Sequence, residues 1–163
     1  MFNIITAQTV TMTVDNDSSE VPGGGYYQDT NNSLNQFVGT WVYTGTNETI
    51  TIKLRKVTHT FSARIYEDLL IGEYSLVRNG VVLINTFSNF NIDLPDQTDH
   101  AIYGNMLDKN IWTPKCNECQ LTRVSLTYKD ELTTALGRLT FGLLASDPNQ
   151  AKIQFYNSGK SYT

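Results

Sequence analysis

One segment of the chain, residues 49–57, alternates apolar and polar side chains along its length. Ile50, Ile52 and Leu54 occupy every second position, and the residues between them are threonine, lysine and arginine. Successive side chains of a β-strand point to opposite faces, so this period of two predicts a strand with one buried and one solvated face. The strongest local signal in the chain is therefore for a sheet.

Further segments of strand character follow at short intervals, separated by turn residues. Asn79-Gly80 falls between the apolar runs 74–78 and 81–84, and an Asn-Gly pair in that position is a strong β-hairpin signal. No long helical pattern is present. Short strands without alternating helices favour an all-β antiparallel meander that forms a closed or half-closed barrel of about eight strands, with a β-sandwich as the alternative. The other predicted strands are 9–14, 37–44, 61–66, 101–107, 121–129, 139–143 and 153–156.

The composition supports this fold class and limits the partners. Only 17% of the 163 residues are charged and 40% are apolar, and threonine and tyrosine, which favour strands, are frequent. The formal net charge of −4 argues against a nucleic-acid backbone as the main partner. No apolar run approaches the roughly 18 residues of a membrane helix, so no membrane span is expected.

The first 33 residues differ from the rest. Residues 1–8 contain an apolar run that is followed by a small residue, as at the end of a secretory signal. This pattern predicts a secreted or periplasmic protein. The alternative is a plain N-terminal strand. Residues 15–35 are rich in Asp, Asn, Ser and Gly, with Gly23-Gly24-Gly25 near the middle, and predict a flexible linker or a long surface loop that Tyr26 and Tyr27 could anchor. We therefore expect a barrel domain over 34–163, and an N-terminal strand that could pair with another copy of the chain.

The segment 34–41 carries a family resemblance. It contains Gly39 and Trp41 in a Gly-x-Trp arrangement and is followed by an amphipathic strand. This resembles the opening of lipocalin-like (calycin) barrels, and more particularly of a family of small, uncharacterised, exported bacterial proteins. The resemblance implies a structural role for Gly39 and for Trp41, whose indole would close one end of the barrel.

Cys116 and Cys119 form the most conspicuous local pattern, Cys-x-x-Cys. A redox pair would open a helix, and a structural zinc would need about four ligands; neither context is evident in the sequence. In an exported protein a disulfide is the favoured interpretation, with free thiols, a redox pair and a zinc half-site as the alternatives.

The sequence indicates no catalytic, metal or cofactor site. His59 and His100 are far apart in the chain, and no nucleophile or phosphate-loop motif is present. Glu67 and Asp68 are interpreted as a solvated turn. We therefore expect a protein that is not an enzyme.

The aromatic and aliphatic strand residues lead to the main functional hypothesis. We expect a barrel interior that binds a small apolar or amphipathic ligand, because small barrels either fill with side chains or leave room for one small ligand. The alternative is a structural or protein-interaction module with a filled core and no ligand. The expected interior residues are Trp41, Tyr43, Ile50, Ile52, Leu54, Tyr74 and Phe141.

Overall fold

The computed structural model describes residues 8–13, 15–111, 115–157 and 160–161, so the predicted signal remnant lies almost entirely outside the described residues. Within these ranges the chain forms strands joined by turns and short 3₁₀ helices, with no α-helix, and the all-β prediction is confirmed. The strands are β1 Thr9–Thr11, β2 Tyr26–Gln28, β3 Gly39–Thr44, β4 Glu48–Ser62, β5 Ile65–Arg78, β6 Val81–Asn85, β7 Ile102–Lys109, β8 Thr122–Lys129, β9 Leu136–Leu143, β10 Ala151–Asn157 and β11 Lys160–Ser161.

A single sheet contains all of these strands. Its main path runs β3-β4-β5-β7-β8-β9-β10, and every neighbouring pair on this path is antiparallel. The long strand β5 pairs with β4 along one edge, and its other edge is shared by β2, β7 and β6 in turn. β1 and β2 add in parallel, and β11 pairs with the end of β10.

The finer prediction of an antiparallel, lipocalin-like barrel is not confirmed. The sheet is mixed, because β1, β2 and β5 pair in parallel, and among the described residues β3 and β10 do not pair with each other. Alternation along a strand shows which face is buried, but it does not show whether the first and last strands of a meander meet. The sheet nevertheless curls, since Trp41 on β3 packs against Phe141 on β9.

One face of the main path forms the hydrophobic core. Directly paired residues of neighbouring strands share a face, and the ladder Trp41–Ile52–Tyr74 continues the face that Leu54 and Phe141 also occupy. The fully or nearly fully buried strand residues of this core are Ile52, Leu54, Leu70, Ile102, Val124, Leu126, Leu139, Phe141 and Leu143.

The β4–β5 hairpin is longer than the sequence predicts. A strand over 61–66 is expected from the sequence, but the chain turns at Ala63 and Arg64, and Ala63 has a positive φ of 53°. Residues 61–62 therefore end β4 and residues 65–66 begin β5. An alanine in the left-handed region is uncommon, which explains why this turn has no clear sequence signal. The next turn has the predicted Asn79-Gly80 pair, with φ of 51° and 77°.

The described part of the N-terminal segment does not behave as a flexible linker. Met12 and Val21 are fully buried and Tyr27 is 2% exposed, and all three belong to the same core as the sheet. The polar composition of residues 15–35 hides these few apolar anchors. Their packing joins residues 8–33 to the rest of the chain in one structural unit.

Candidate ligand-binding groove

A groove of about 510 Å³ opens where the main path of the sheet ends. Side chains of β3 and β4 line one side, and side chains of β10 with the turn before it line the other. Its size falls in the range typical of small-molecule sites, about 300–1,000 Å³. The lining residues are Thr40, Trp41, Val42, Tyr43, Glu48, Ile50, Ile52, Asn149, Gln150, Ala151, Ile153 and Phe155.

Trp41 is fixed in this groove by two kinds of contact. Its indole Nε1 donates a hydrogen bond to the Phe37 carbonyl oxygen at 3.0 Å. Its ring meets the ring of Phe141 edge-to-face, with 4.9 Å between centroids, and Phe37 packs on the same ring at 5.8 Å. Edge-to-face packing is a favoured aromatic geometry, so the indole has a defined position while it stays half-buried at the groove wall.

The sequence-predicted site residues divide into two groups. Trp41, Tyr43, Ile50 and Ile52 line the groove. The other three lie behind or beside it: Leu54 and Phe141 are buried in the core, and Tyr74 packs against that core from β5.

Tyr74 is oriented by its hydroxyl group. The hydroxyl donates to the Lys129 carbonyl oxygen at 3.0 Å and accepts from the Glu131 amide at 3.1 Å. Burial raises the pKa of Tyr74 to about 12. This tyrosine links β5 to the turn after β8 and is not available to a ligand in the groove.

The structure adds groove residues that the sequence analysis did not single out as site residues. Ala151 and Ile153 stand at alternate positions of β10 and line the groove together with Phe155. Ile153 and Phe155 could have been found from the sequence, because they occupy alternate positions of the predicted strand 153–156. Glu48, Asn149 and Gln150 add polar groups to the lining of the groove.

Gly39, the residue before this wall, has a backbone conformation that favours glycine. Its φ is +141°, in a region that residues with a side chain rarely adopt. It pairs with Leu54 at the start of β3, so the chain turns from the 3₁₀ helix Asn35–Phe37 into β3 at this position.

The opposite face of β5 holds a buried acid–imidazole pair. His100 Nδ1 lies 2.7 Å from Glu73 Oε1, and both side chains are completely buried. The other polar atoms of the pair, Glu73 Oε2 and His100 Nε2, have no hydrogen-bond partner among the described residues. Near this pair, Leu70 and Tyr74 of β5 pack with the core, and Glu73, next to Tyr74 in the strand, faces away from it; neither Glu73 nor His100 lines the groove.

A second buried polar network holds the N-terminal segment to the sheet. Asp68 Oδ1 accepts from the Tyr26 hydroxyl at 2.6 Å, and its Oδ2 accepts from the Asp29 amide at 2.9 Å. Asp29 in turn accepts from Lys56 Nζ at 2.8 Å. Burial and the bond to Asp68 raise the pKa of Tyr26 to about 12. The expectation that Glu67 and Asp68 form a solvated turn is wrong, because both are buried within β5.

Cys116 and Cys119 form a disulfide, with 5.3 Å between their Cα atoms. The Asn110 side chain supports this loop: its Oδ1 accepts from the Cys116 amide at 2.9 Å. The favoured interpretation of the Cys-x-x-Cys pattern is thereby confirmed.

The described residues thus form a curled, open all-β sheet with a partly apolar groove at its open side. The chain belongs to a family of unknown function, DUF6705, whose model matches residues 1–163. No curated protein and no solved structure matches the chain. None of the helical turns in the described residues has the length or the apolar run that a bilayer crossing requires.

Proposed function

We propose that this protein is a non-enzymatic binding protein that holds a small apolar or amphipathic ligand in the groove between β3 and β10. The observation that carries the proposal is the groove itself, which lies beside Trp41 and is lined by Trp41, Ile52, Ile153 and other apolar side chains.

The proposed affinity comes mainly from desolvation. Covering about 200 Å² of a ligand's apolar surface contributes about 5 kcal/mol at the usual rate per area. Trp41 and Phe155 offer flat aromatic surfaces to a ligand, and Ile50, Ile52 and Ile153 offer branched aliphatic ones. Glu48 and Gln150 supply polar groups that a ligand with one polar end can contact. An amphipathic molecule therefore suits the lining better than a purely apolar one.

Export is part of the same proposal. Disulfides persist in oxidising compartments, and the Cys116–Cys119 bond is compatible with an extracellular or periplasmic protein. Apolar molecules are poorly soluble in those compartments, and a small carrier would keep them dispersed.

Binding of dodecanoate tests the proposal. We expect titration calorimetry to show saturable binding, and the fluorescence of Trp41 to change in a Trp112→Phe background that leaves it as the only tryptophan. Ile153→Asp places a charge in the groove and should weaken binding at least about tenfold, because a charge resists burial. Leu132→Asp is the matched control, since Leu132 is 59% exposed and does not line the groove.

Absence of dodecanoate binding to the folded protein, or equal binding by the wild type and Ile153→Asp, contradicts the proposal. Circular dichroism of each variant shows whether its fold is retained.

A further inference from the structure

The number of strands on the main path of the sheet determines how its two ends are oriented. The path β3-β4-β5-β7-β8-β9-β10 contains seven strands joined by six antiparallel pairings. The first and last strands of such a path run in the same direction. Antiparallel up-and-down barrels close with an even number of strands. An eighth strand between β3 and β10 could therefore run antiparallel to both.

Among the described residues, the backbone donors on the groove-facing edge of β3 have no partner. The Gly45 amide donates to the Glu48 carbonyl oxygen at 2.8 Å, which fixes the hydrogen-bonding phase of the β3–β4 ladder. Bonded and non-bonded positions alternate in an antiparallel pair. The amides of Thr40, Val42 and Thr44 consequently point away from β4, toward the open side.

The same reasoning applies to β10. The Leu144 amide donates to the Gln150 carbonyl oxygen at 2.9 Å, so Lys152 and Gln154 direct their amides to β9. The amides of Ile153 and Phe155 then point away from β9. Within the described residues, β11 pairs only with positions 156 and 157 of this edge.

The β3 edge also lacks the usual protection against strand pairing. Natural edge strands carry charges, prolines or bulges that prevent another strand from adding. β3 has the sequence Gly-Thr-Trp-Val-Tyr-Thr, without a charge or a proline, and pairs with β4 over six residues without a register shift. Val42 and Tyr43 are 62% and 58% exposed. The edge strand β6, in contrast, has a register shift in its pairing with β5.

We propose that the groove accepts an extended peptide segment of another protein as an eighth strand, antiparallel to both β3 and β10. Every second side chain of that segment would face Trp41, Ile52 and Ile153, so the segment must have apolar residues at alternate positions. Six paired residues of β3 limit it to about six residues, roughly 20 Å.

The available area favours a short segment over a second folded copy. Stable protein–protein interfaces bury about 1,200–2,000 Å², which a single six-residue strand does not reach. The inference uses the same groove as the proposed function but does not depend on it, since backbone pairing at the two edges supplies part of the affinity. A bound strand and a bound dodecanoate would compete.

The test uses a blocked heptapeptide of alternating valine and threonine, and the same peptide N-methylated at every second residue. The first peptide should bind, and N-methylation, which removes backbone donors but keeps the side chains, should weaken binding at least about tenfold. Hydrogen exchange should slow at Thr40, Val42, Ile153 and Phe155 when the first peptide is added. No binding, or binding that N-methylation does not weaken and that protects none of these amides, overturns the proposal.

A pair of substitutions separates this proposal from the proposed function. Thr44 has an amide on the open edge but does not line the groove. Thr44→Pro removes this edge donor at a position where an edge strand tolerates proline, and Thr44→Val keeps the donor. We expect Thr44→Pro to weaken peptide binding and keep dodecanoate binding, and Thr44→Val to bind both. Peptide binding without dodecanoate binding contradicts only the proposed function, and dodecanoate binding without peptide binding contradicts only the strand-pairing proposal. If Thr44→Pro does not fold, the N-methylated peptide decides.

Discussion

At the scale of single residues, Glu73 and His100 form a buried pair in which each side chain supplies the hydrogen-bond partner of the other. Glu73 lies on β5 and His100 in the segment that connects β6 to β7, and their side chains are completely buried and 2.7 Å apart. Lys53 pairs with Glu73 in the β4–β5 ladder, and its Nζ lies 4.4 Å from the Phe87 ring centre. Burying two polar groups is tolerated only while each satisfies the other.

His100→Ala should therefore lower the free energy of unfolding by about 3 kcal/mol, because it leaves the Glu73 carboxyl buried without its partner. Replacing both residues by leucine should recover a large part of that loss. Asp99→Ala is the control: its pair with Lys129 is long, at 3.6 Å, and mostly exposed, so the change should stay within about 0.5 kcal/mol. Urea unfolding measures the free energy of unfolding of His100→Ala, of the double leucine variant and of Asp99→Ala. If His100→Ala loses no more stability than Asp99→Ala, the proposed dependence of Glu73 on His100 is contradicted.

The buried tyrosines make stability depend on alkaline pH. Burial raises the pKa of Tyr74 from its ordinary value of 10.0 to about 12. Because the pKa is higher in the folded state, the stabilisation is complete below pH 10 and is lost as the pH rises toward 12. The wild type should exceed Tyr74→Phe in unfolding free energy by about 1 kcal/mol at pH 8, and this difference should shrink above pH 10. Urea unfolding at a series of pH values measures it; a constant difference contradicts the assignment.

At the scale of elements, the β4–β5 hairpin is the centre of the sheet, and it leaves no room at Gly72. A Cβ atom at this position would contact the Lys53 carbonyl oxygen and lie 2.6 Å from Leu54 Cδ2. Gly23, in contrast, has nothing within 4 Å and no positive φ.

Gly72→Ala should thus lower stability by about 1–3 kcal/mol through overpacking. Gly23→Ala should be neutral or slightly stabilising, since it restricts the unfolded chain at no cost in space. Thermal unfolding compares the two variants, and equal transition temperatures contradict this account of the hairpin.

Strands were predictable from the sequence wherever alternation was strong. The segment 49–57 lies in β4 with Ile52 and Leu54 buried, as its pattern predicts. The turn at Ala63 was not predictable, because neither alanine nor arginine signals a turn. The buried state of Asp68 was not predictable either, since its partners Tyr26 and Asp29 are about forty residues away in the chain.

At the scale of the whole molecule, the sequence reveals the composition of the core but not the closure of the sheet. Trp41, Tyr43, Ile50 and Ile52 were expected to share a surface, and the structure places them along one groove. Whether a meander closes depends on strand number, tilt and stagger together, and no local pattern encodes these. The contribution of β10 to the groove is a consequence of this long-range geometry.

The N-terminal segment shows the same limit. Its composition resembles a linker, yet Val21 and Tyr27 are buried in the common core. A few apolar residues in a polar segment can anchor it when the rest of the fold offers a complementary surface, and composition averaged over twenty residues does not reveal them.

Amide hydrogen exchange of the free protein, measured residue by residue by NMR, tests the open sheet most directly. An open sheet predicts alternation along both edges: fast exchange at Thr40 and Val42 with slow exchange at Trp41 and Tyr43, and fast exchange at Ile153 with slow exchange at Gln154. Uniformly slow exchange along β3 and β10 would mean that the two strands are paired, and it would contradict the groove on which the account depends.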